Sequence, residues 1–240
     1  MSGHSKWHNI KHKKAKEDAK KGLVFTKLSK EIAVAVKNGG ADSGLNMSLR
    51  LLLNKAKEWN MPKDNVERAI KKGSGQLEGA NYESIVYEGY APENVAIIIS
   101  ALTDNKNRTI SDLRHFFNRH GGRLVDTGSI NWMFDYRGTI EFDPAGKNEE
   151  DLLCELLDAD IIDLKLDDEE VATIICDVVK LDEVRTFLES KGYSIKSLDP
   201  AWIAKNPVPL DGEAKDRVVQ FLEGLEDLDD VKDIFASLEA

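Results

Sequence analysis

The charge of this chain reverses at Lys72, and that reversal limits what each side of it can fold into. Up to Lys72 there are seventeen Lys and Arg against seven Asp and Glu, a net of +10. From Gly73 to Ala240 there are sixteen against thirty-six, a net of −20, and the two together make the overall −10. A segment as cationic as the first can bury only narrow apolar stripes, which favours short amphipathic helices over a sheet core. The asymmetry also separates roles: a basic end suited to polyphosphate, and an acidic body that stays off it.

At 240 residues, 41% hydrophobic and 32% charged, the chain has material for two or three domains. No apolar run approaches the roughly 20 residues that span a bilayer, and the opening residues lack the apolar stretch of a secretory signal. A cytoplasmic protein with no membrane partner is expected. Cys154 and Cys176 are too few for a disulfide framework and read as reduced core residues.

The segment Gly3 to Lys21 has no apolar stripe. Its seven lysines, Lys6, Lys11, Lys13, Lys14, Lys16, Lys20 and Lys21, stand against only Glu17 and Asp18. It reads as an arm that seeks phosphate and is ordered where it docks. Trp7 among the lysines can stack on an unpaired base, or it can pin the arm to the helices behind it. His4, His8 and His12 recur every fourth residue, but no Cys or acidic ligand is interleaved with them, and no metal is expected.

From Leu23 the spacing turns helical. Phe25, Leu28, Ile32 and Val36 form one stripe, and Asn38-Gly39-Gly40 stops it. A second helix is expected from about Asn46 to Trp59, with Leu49, Leu52, Leu53 and Ala56 inward. A third follows Pro62 and ends at Lys72-Gly73. The result is a small three-helix bundle with Lys27, Lys63 and Arg68 among its surface cations. The glycine-rich stretch Gly73 to Gly79 follows a helix rather than a strand and reads as a linker, not a nucleotide loop.

In the acidic body, Tyr82 to Glu88 and Val95 to Leu102 read as strands, and Arg108 to His120 as a helix with Ile110, Leu113 and Phe117 on its apolar side. Arg108, His115 and Arg119 share the opposite side at 100° per residue. Lys106 and Arg108 stand near that helix's N-terminus, a favourable place for an anion. Ser129 to Phe134 is expected to be a strand. From Tyr136 to Leu198 the order is β-α-β-β-α-β, a ferredoxin-like unit, and Asp199 to Leu210, with its three prolines, reads as a stiff connection out of it. An amphipathic helix from Glu213 to Leu225 and a last apolar element around Leu228 to Phe235 close the chain.

The run Gly3-His4-Ser5-Lys6-Trp7, then Ile10-Lys11-His12-Lys13-Lys14, resembles the opening of the YebC/PmpR family. Asn60-Met61-Pro62-Lys63-Asp64-Asn65, Glu67-Arg68-Ala69-Ile70, Tyr87-Glu88-Gly89-Tyr90-Ala91-Pro92 and Thr103-Asp104-Asn105-Lys106-Asn107-Arg108-Thr109 are similar to that family's motifs as well. His8 falls where the family signature is open. The C-terminal third matches in layout more than in motif. The resemblance implies an α+β protein in which the ferredoxin-like unit is inserted into an α/β domain. The expected domains are 1–78 (arm and bundle), 79–134 with 207–240 (α/β), and 135–206 (insert).

No Walker loop, HExxH, paired CxxC or nucleophile elbow is present, and neither catalysis nor a cofactor is expected. The leading reading is a nucleic-acid-binding regulator held by phosphate neutralisation. Its candidate contacts are Lys6, Trp7, Lys11, His12, Lys13, Lys14, Lys16, Lys20, Lys21, Lys27, Lys63, Arg68, Lys106, Arg108 and Arg119. The partner is DNA or ribosomal RNA. The resemblance implies a DNA-binding transcriptional regulator on one side and a ribosome-associated translation factor that relieves stalled synthesis on the other. A third reading is an acidic scaffold that docks a protein. No helix shows an obvious set of Arg, Asn and Gln for reading bases.

Overall fold

In the computed structural model the described residues are 17–77, 81–166 and 171–239, with side chains from residue 21 onward. They form two compact units, Met1–Phe134 with Ala204–Ala240, and Asp135–Ile203.

The first unit opens with helices α1 (Glu17–Gly39), α2 (Met47–Glu58) and α3 (Lys63–Gly73). Helix α1 is described from Glu17, eight residues before Phe25, the first residue of its apolar stripe. Leu28, Ile32, Val36, Leu49, Ala56, Met61 and Ala69 are buried between the three. Asn46 fixes the first corner. Its side-chain oxygen accepts from the Leu49 N–H at 3.0 Å, and its amide donates to the carbonyls of Ala35 and Gly40 at 2.8 Å each. One residue thereby caps the start of α2 and satisfies carbonyls at the end of α1. Gly40, at φ +84°, supplies the left-handed turn.

At Gly73 the backbone of α3 packs directly against α1. A Cβ there would lie 2.3 Å from the Ala33 carbonyl oxygen and 2.7 Å from the Val36 Cβ. Gly73→Ala is therefore expected to destabilise the bundle by about 1–3 kcal/mol through overpacking, against the roughly 1 kcal/mol gain that Ala normally brings inside a helix. A chemical-denaturation curve equal to or more stable than wild type would show that the helices separate at no cost.

Behind the bundle lies an antiparallel sheet in the order β3-β1-β2-β8. Its strands are β1 (Glu83–Tyr90), β2 (Ala96–Thr103), β3 (Arg123–Val125) and β8 (Val231–Ala236). Central β2 is a nearly continuous apolar run and is buried on both faces, as a central strand covered on both sides must be. Helices α4 (Lys106–His120) and α7 (Gly212–Glu226) cover one face. There Phe116, Phe117 and Phe221 meet edge to face over Ile97 and Ile99.

The sheet differs from expectation in one strand. Residues 131–133 form a 3₁₀ turn, not part of a strand over Ser129 to Phe134, and the third strand is the three-residue β3, paired with β1. The cause is Glu88, buried at the far end of β1. Its two carboxylate oxygens accept the N–H groups of Gly128 at 2.7 Å and Ile130 at 2.8 Å. Those amides are thereby taken from any ladder and the loop is drawn over the sheet.

The second unit contains β4 (Phe134–Phe142), α5 (Glu149–Glu155), β5 (Asp163–Leu166), β6 (Ala172–Cys176), α6 (Leu181–Ser190) and β7 (Ile195–Ala204). The strands lie in the order β5-β6-β4-β7, with β6 antiparallel to both its neighbours. With both helices packed on one core, this is the ferredoxin-like arrangement. Strand β7 continues through Pro200 to Ala204, where a stiff linker is expected from the prolines. A proline is tolerated at a sheet edge, the position β7 occupies. The acidic run 167–170 lies outside the described residues.

Candidate nucleic-acid interface

The bundle's cations divide by what their charged ends meet. Lys27 is only partly exposed, and its ammonium donates to the Glu226 carbonyl at the end of α7. Burial lowers its pKa, against the pull of Glu226 and Asp227. A group held in this way is turned inward, although the sequence placed it among the phosphate contacts. Lys30 is buried, with its ammonium 2.6 Å from Asp230 Oδ1 and 3.0 Å from the Asp229 carbonyl oxygen.

Asp230 is the centre of a larger network. Its Oδ2 also accepts from Thr109 Oγ1 at 2.8 Å, Thr103 Oγ1 at 3.2 Å and Arg108 Nη2 at 2.9 Å. Burial alone would raise this carboxyl's pKa. The bonds from Lys30, Arg108 and Thr109 outweigh it and hold the group at about 2. Arg108 also reaches Asp104 at 2.9 Å, and Lys106 pairs with Glu83 at 2.7 Å. The two cations at the start of α4 each pair with carboxylates of this chain while their side chains stay 62% (Lys106) and 48% (Arg108) exposed.

Other cations face outward. Lys21, Lys63, Arg68, Lys71 and Lys72 are exposed on the bundle. Arg68 and Lys72, one turn apart on α3, line the same groove, and its described lining includes no carboxylate. The spacing i, i+4 places the pair on one face, a signal legible in the sequence for Lys72, which was not among the expected contacts. Lys20 lies within α1 with its side chain outside the described set. Lys6, Trp7, Lys11, His12, Lys13, Lys14 and Lys16 fall outside the described residues altogether.

The exposed side of α4 carries more than the expected Arg119. Arg114, His115, Asn118 and Arg119 are all exposed within its last two turns, and none makes an ion pair among the described residues. Ser111 and Asp112 lie just before them. At 1.5 Å per residue, Arg119 stands about 16 Å along the helix from Arg108, so this patch is separate from the Asp230 network.

Residues 5–76 match the TACO1/YebC protein N-terminal domain, and residues 82–238 match the TACO1/YebC second and third domain. The chain belongs to the TACO1/YebC family. Over 240 residues, all of this chain, it is 46% identical to a "Probable transcriptional regulatory protein" of Thermotoga maritima, covering 94% of that protein. It is equally similar to one from Chlorobaculum tepidum, with 95% of that relative covered. A crystal structure of a conserved hypothetical protein from Aquifex aeolicus superposes with a TM-score of 0.83 at 42% identity, over 98% of this chain and 97% of the other. The names of its relatives mark this TACO1/YebC member as a regulatory protein. No helix among the described residues is long and apolar enough to cross a membrane. Nor do those residues hold a group of three or more His, Cys, Asp or Glu placed to bind a metal ion.

Proposed function

We propose that this TACO1/YebC protein is a non-enzymatic, DNA-binding transcriptional regulator that works in the cytoplasm. The observation that carries this reading is the open quartet Arg114, His115, Asn118 and Arg119 on α4. Arg pairs with the acceptors of guanine and Asn with adenine in a major groove, each good pairing contributing about 1–3 kcal/mol of discrimination. The outward cations of the bundle and the lysines of residues 6–21 add sequence-independent affinity. Two relatives named "Probable transcriptional regulatory protein", matched over 94% and 95% of their lengths, support the same assignment.

The test is anisotropy titration with duplex DNA at several salt concentrations. With about six phosphates neutralised, log K should fall against log salt with a slope of about −5. Arg119→Glu should weaken binding roughly tenfold, and Asn118→Ala should relax sequence preference with a smaller loss of affinity. A salt-independent signal, or Arg119→Glu binding as tightly as wild type, would remove α4 from the interface.

A second reading, contact with ribosomal RNA in translation, is favoured by the groove that Arg68 and Lys72 line, which is too small to admit a paired duplex. Co-sedimentation with ribosomal particles that survives DNase would select it over the first.

A further inference from the structure

The geometry points to a binding site for one unpaired nucleotide in the groove between α1 and α3. This inference rests on the nucleic-acid reading above and adds to it a site of a different kind from the phosphate-neutralising surface. The two helices approach closely at Gly73 and pack again through Val66 against Val24 and Phe25, and beside that contact lies a groove of about 400 Å³. That is within the range of small-ligand pockets, roughly 300–1,000 Å³.

Each helix presents one stripe to it. From α1 come Gly22, Phe25, Thr26, Ser29 and Lys30, from α3 Asn65, Arg68, Ala69 and Lys72, and Tyr82 closes the lining. The hydroxyls of Thr26 and Ser29 already donate to the carbonyls of Gly22 and Phe25, and the Lys30 ammonium is held by Asp230. The donors left for a ligand are the Arg68 guanidinium, the Lys72 ammonium and the Asn65 amide.

The first two form a cationic pair with no carboxylate among the described lining residues, the combination that holds a phosphate. Tyr82 is a half-exposed aromatic ring, 5.9 Å from Lys30 Nζ. A base stacked on such a ring gains about 1–3 kcal/mol, whichever base it is. Asn65, with both donor and acceptor atoms, can meet a base edge. Two cations for a phosphate, a ring for a base face and an amide for a base edge, all lining one groove, fit a single nucleotide unit of an unpaired strand, RNA or DNA.

Gly22 allows the groove to be closed without touching a charge. A Cβ at Gly22 would meet nothing within 4 Å, and its place inside α1 favours any good helix former over Gly. Gly22→Leu should fill the groove and leave the fold as stable as before, while Gly22→Ala controls for helix propensity.

The experiment compares wild type and both variants, as full-length protein, by fluorescence anisotropy on three labelled probes: a U12 RNA, a dT12 strand and a 20-base-pair duplex. Gly22→Leu is expected to bind the unpaired probes at least tenfold more weakly than wild type and the duplex within twofold. Gly22→Ala should match wild type throughout. Tighter binding of U12 names RNA as the strand and points to a 2′-hydroxyl contact; tighter binding of dT12 names DNA, and both orders uphold the groove.

Unchanged affinity of Gly22→Leu for both single strands overturns the groove while leaving the DNA-binding reading in place. Wild type that binds none of the three probes removes both. Photocrosslinking of wild type to a 5-iodouridine strand, with the site read by mass spectrometry, requires no variant to fold. A crosslink at Tyr82 is expected, and crosslinks confined to other elements would overturn the assignment.

Discussion

Asp230→Ala is expected to destabilise the unit that contains it by about 3–5 kcal/mol, the usual cost of removing one partner from a buried ion pair. For a unit of this size that lowers the melting temperature by on the order of 10 °C. The substitution leaves the Lys30 ammonium, 9% exposed by residue, with no carboxylate, and it removes one acceptor each from the buried hydroxyls of Thr103 and Thr109. Arg108 contributes less to the loss, because its side chain is 48% exposed and retains Asp104.

The same group should govern part of the acid response. Its folded pKa, about 2, lies below the ordinary 3.8. Its stabilisation is therefore fully present above about pH 4 and is lost as pH falls toward 2, amounting to about 2 kcal/mol. Urea unfolding of wild type and Asp230→Ala between pH 2 and 6 measures this directly. The gap between the two proteins should narrow as the pH approaches 2. A gap that stays constant across that range would assign the acid sensitivity to other carboxylates.

Deleting residues 1–16 is expected to lower affinity for duplex DNA about 10²-fold or more near 0.1 M salt, with little change in the melting curve. That segment holds five lysines and no carboxylate. Their loss should make the slope of log K against log salt shallower by about 4 to 5. The buried residues of the bundle begin at Leu28, with Val24 and Phe25 packed against them, so the truncated chain keeps every helix contact described. A truncated protein that melts much earlier would make the segment structural. One that binds DNA with an unchanged salt slope would place the phosphate contacts elsewhere.

Much of this fold is legible in the chain because its signals are local. Asn38-Gly39-Gly40 ends α1 and Pro62 begins α3 by backbone constraints that act within a turn, and α3 ends at Gly73 as its spacing predicts. The alternation of strands and helices from Tyr136 onward likewise specifies the ferredoxin-like unit, since each element's apolar period is written in its own residues. Strand β3 escaped that reading because three residues are too few to show a period. The loop after it is shaped by a carboxylate some forty positions earlier, at Glu88.

Charge was legible only as a quantity. The sequence by itself determined that the first 72 residues are basic and that Arg108, His115 and Arg119 share a helix face. Which cations remain available to a partner was decided by tertiary structure. Lys30 lies 200 positions from Asp230 and Arg108 lies 122 from it, and no local rule relates them. Lys27 and Lys30 look like the other lysines of α1 until the end of α7 and the start of β8 arrive beside them. A helix's own spacing says which way a side chain points, whereas an ion pair depends on what the rest of the chain places there.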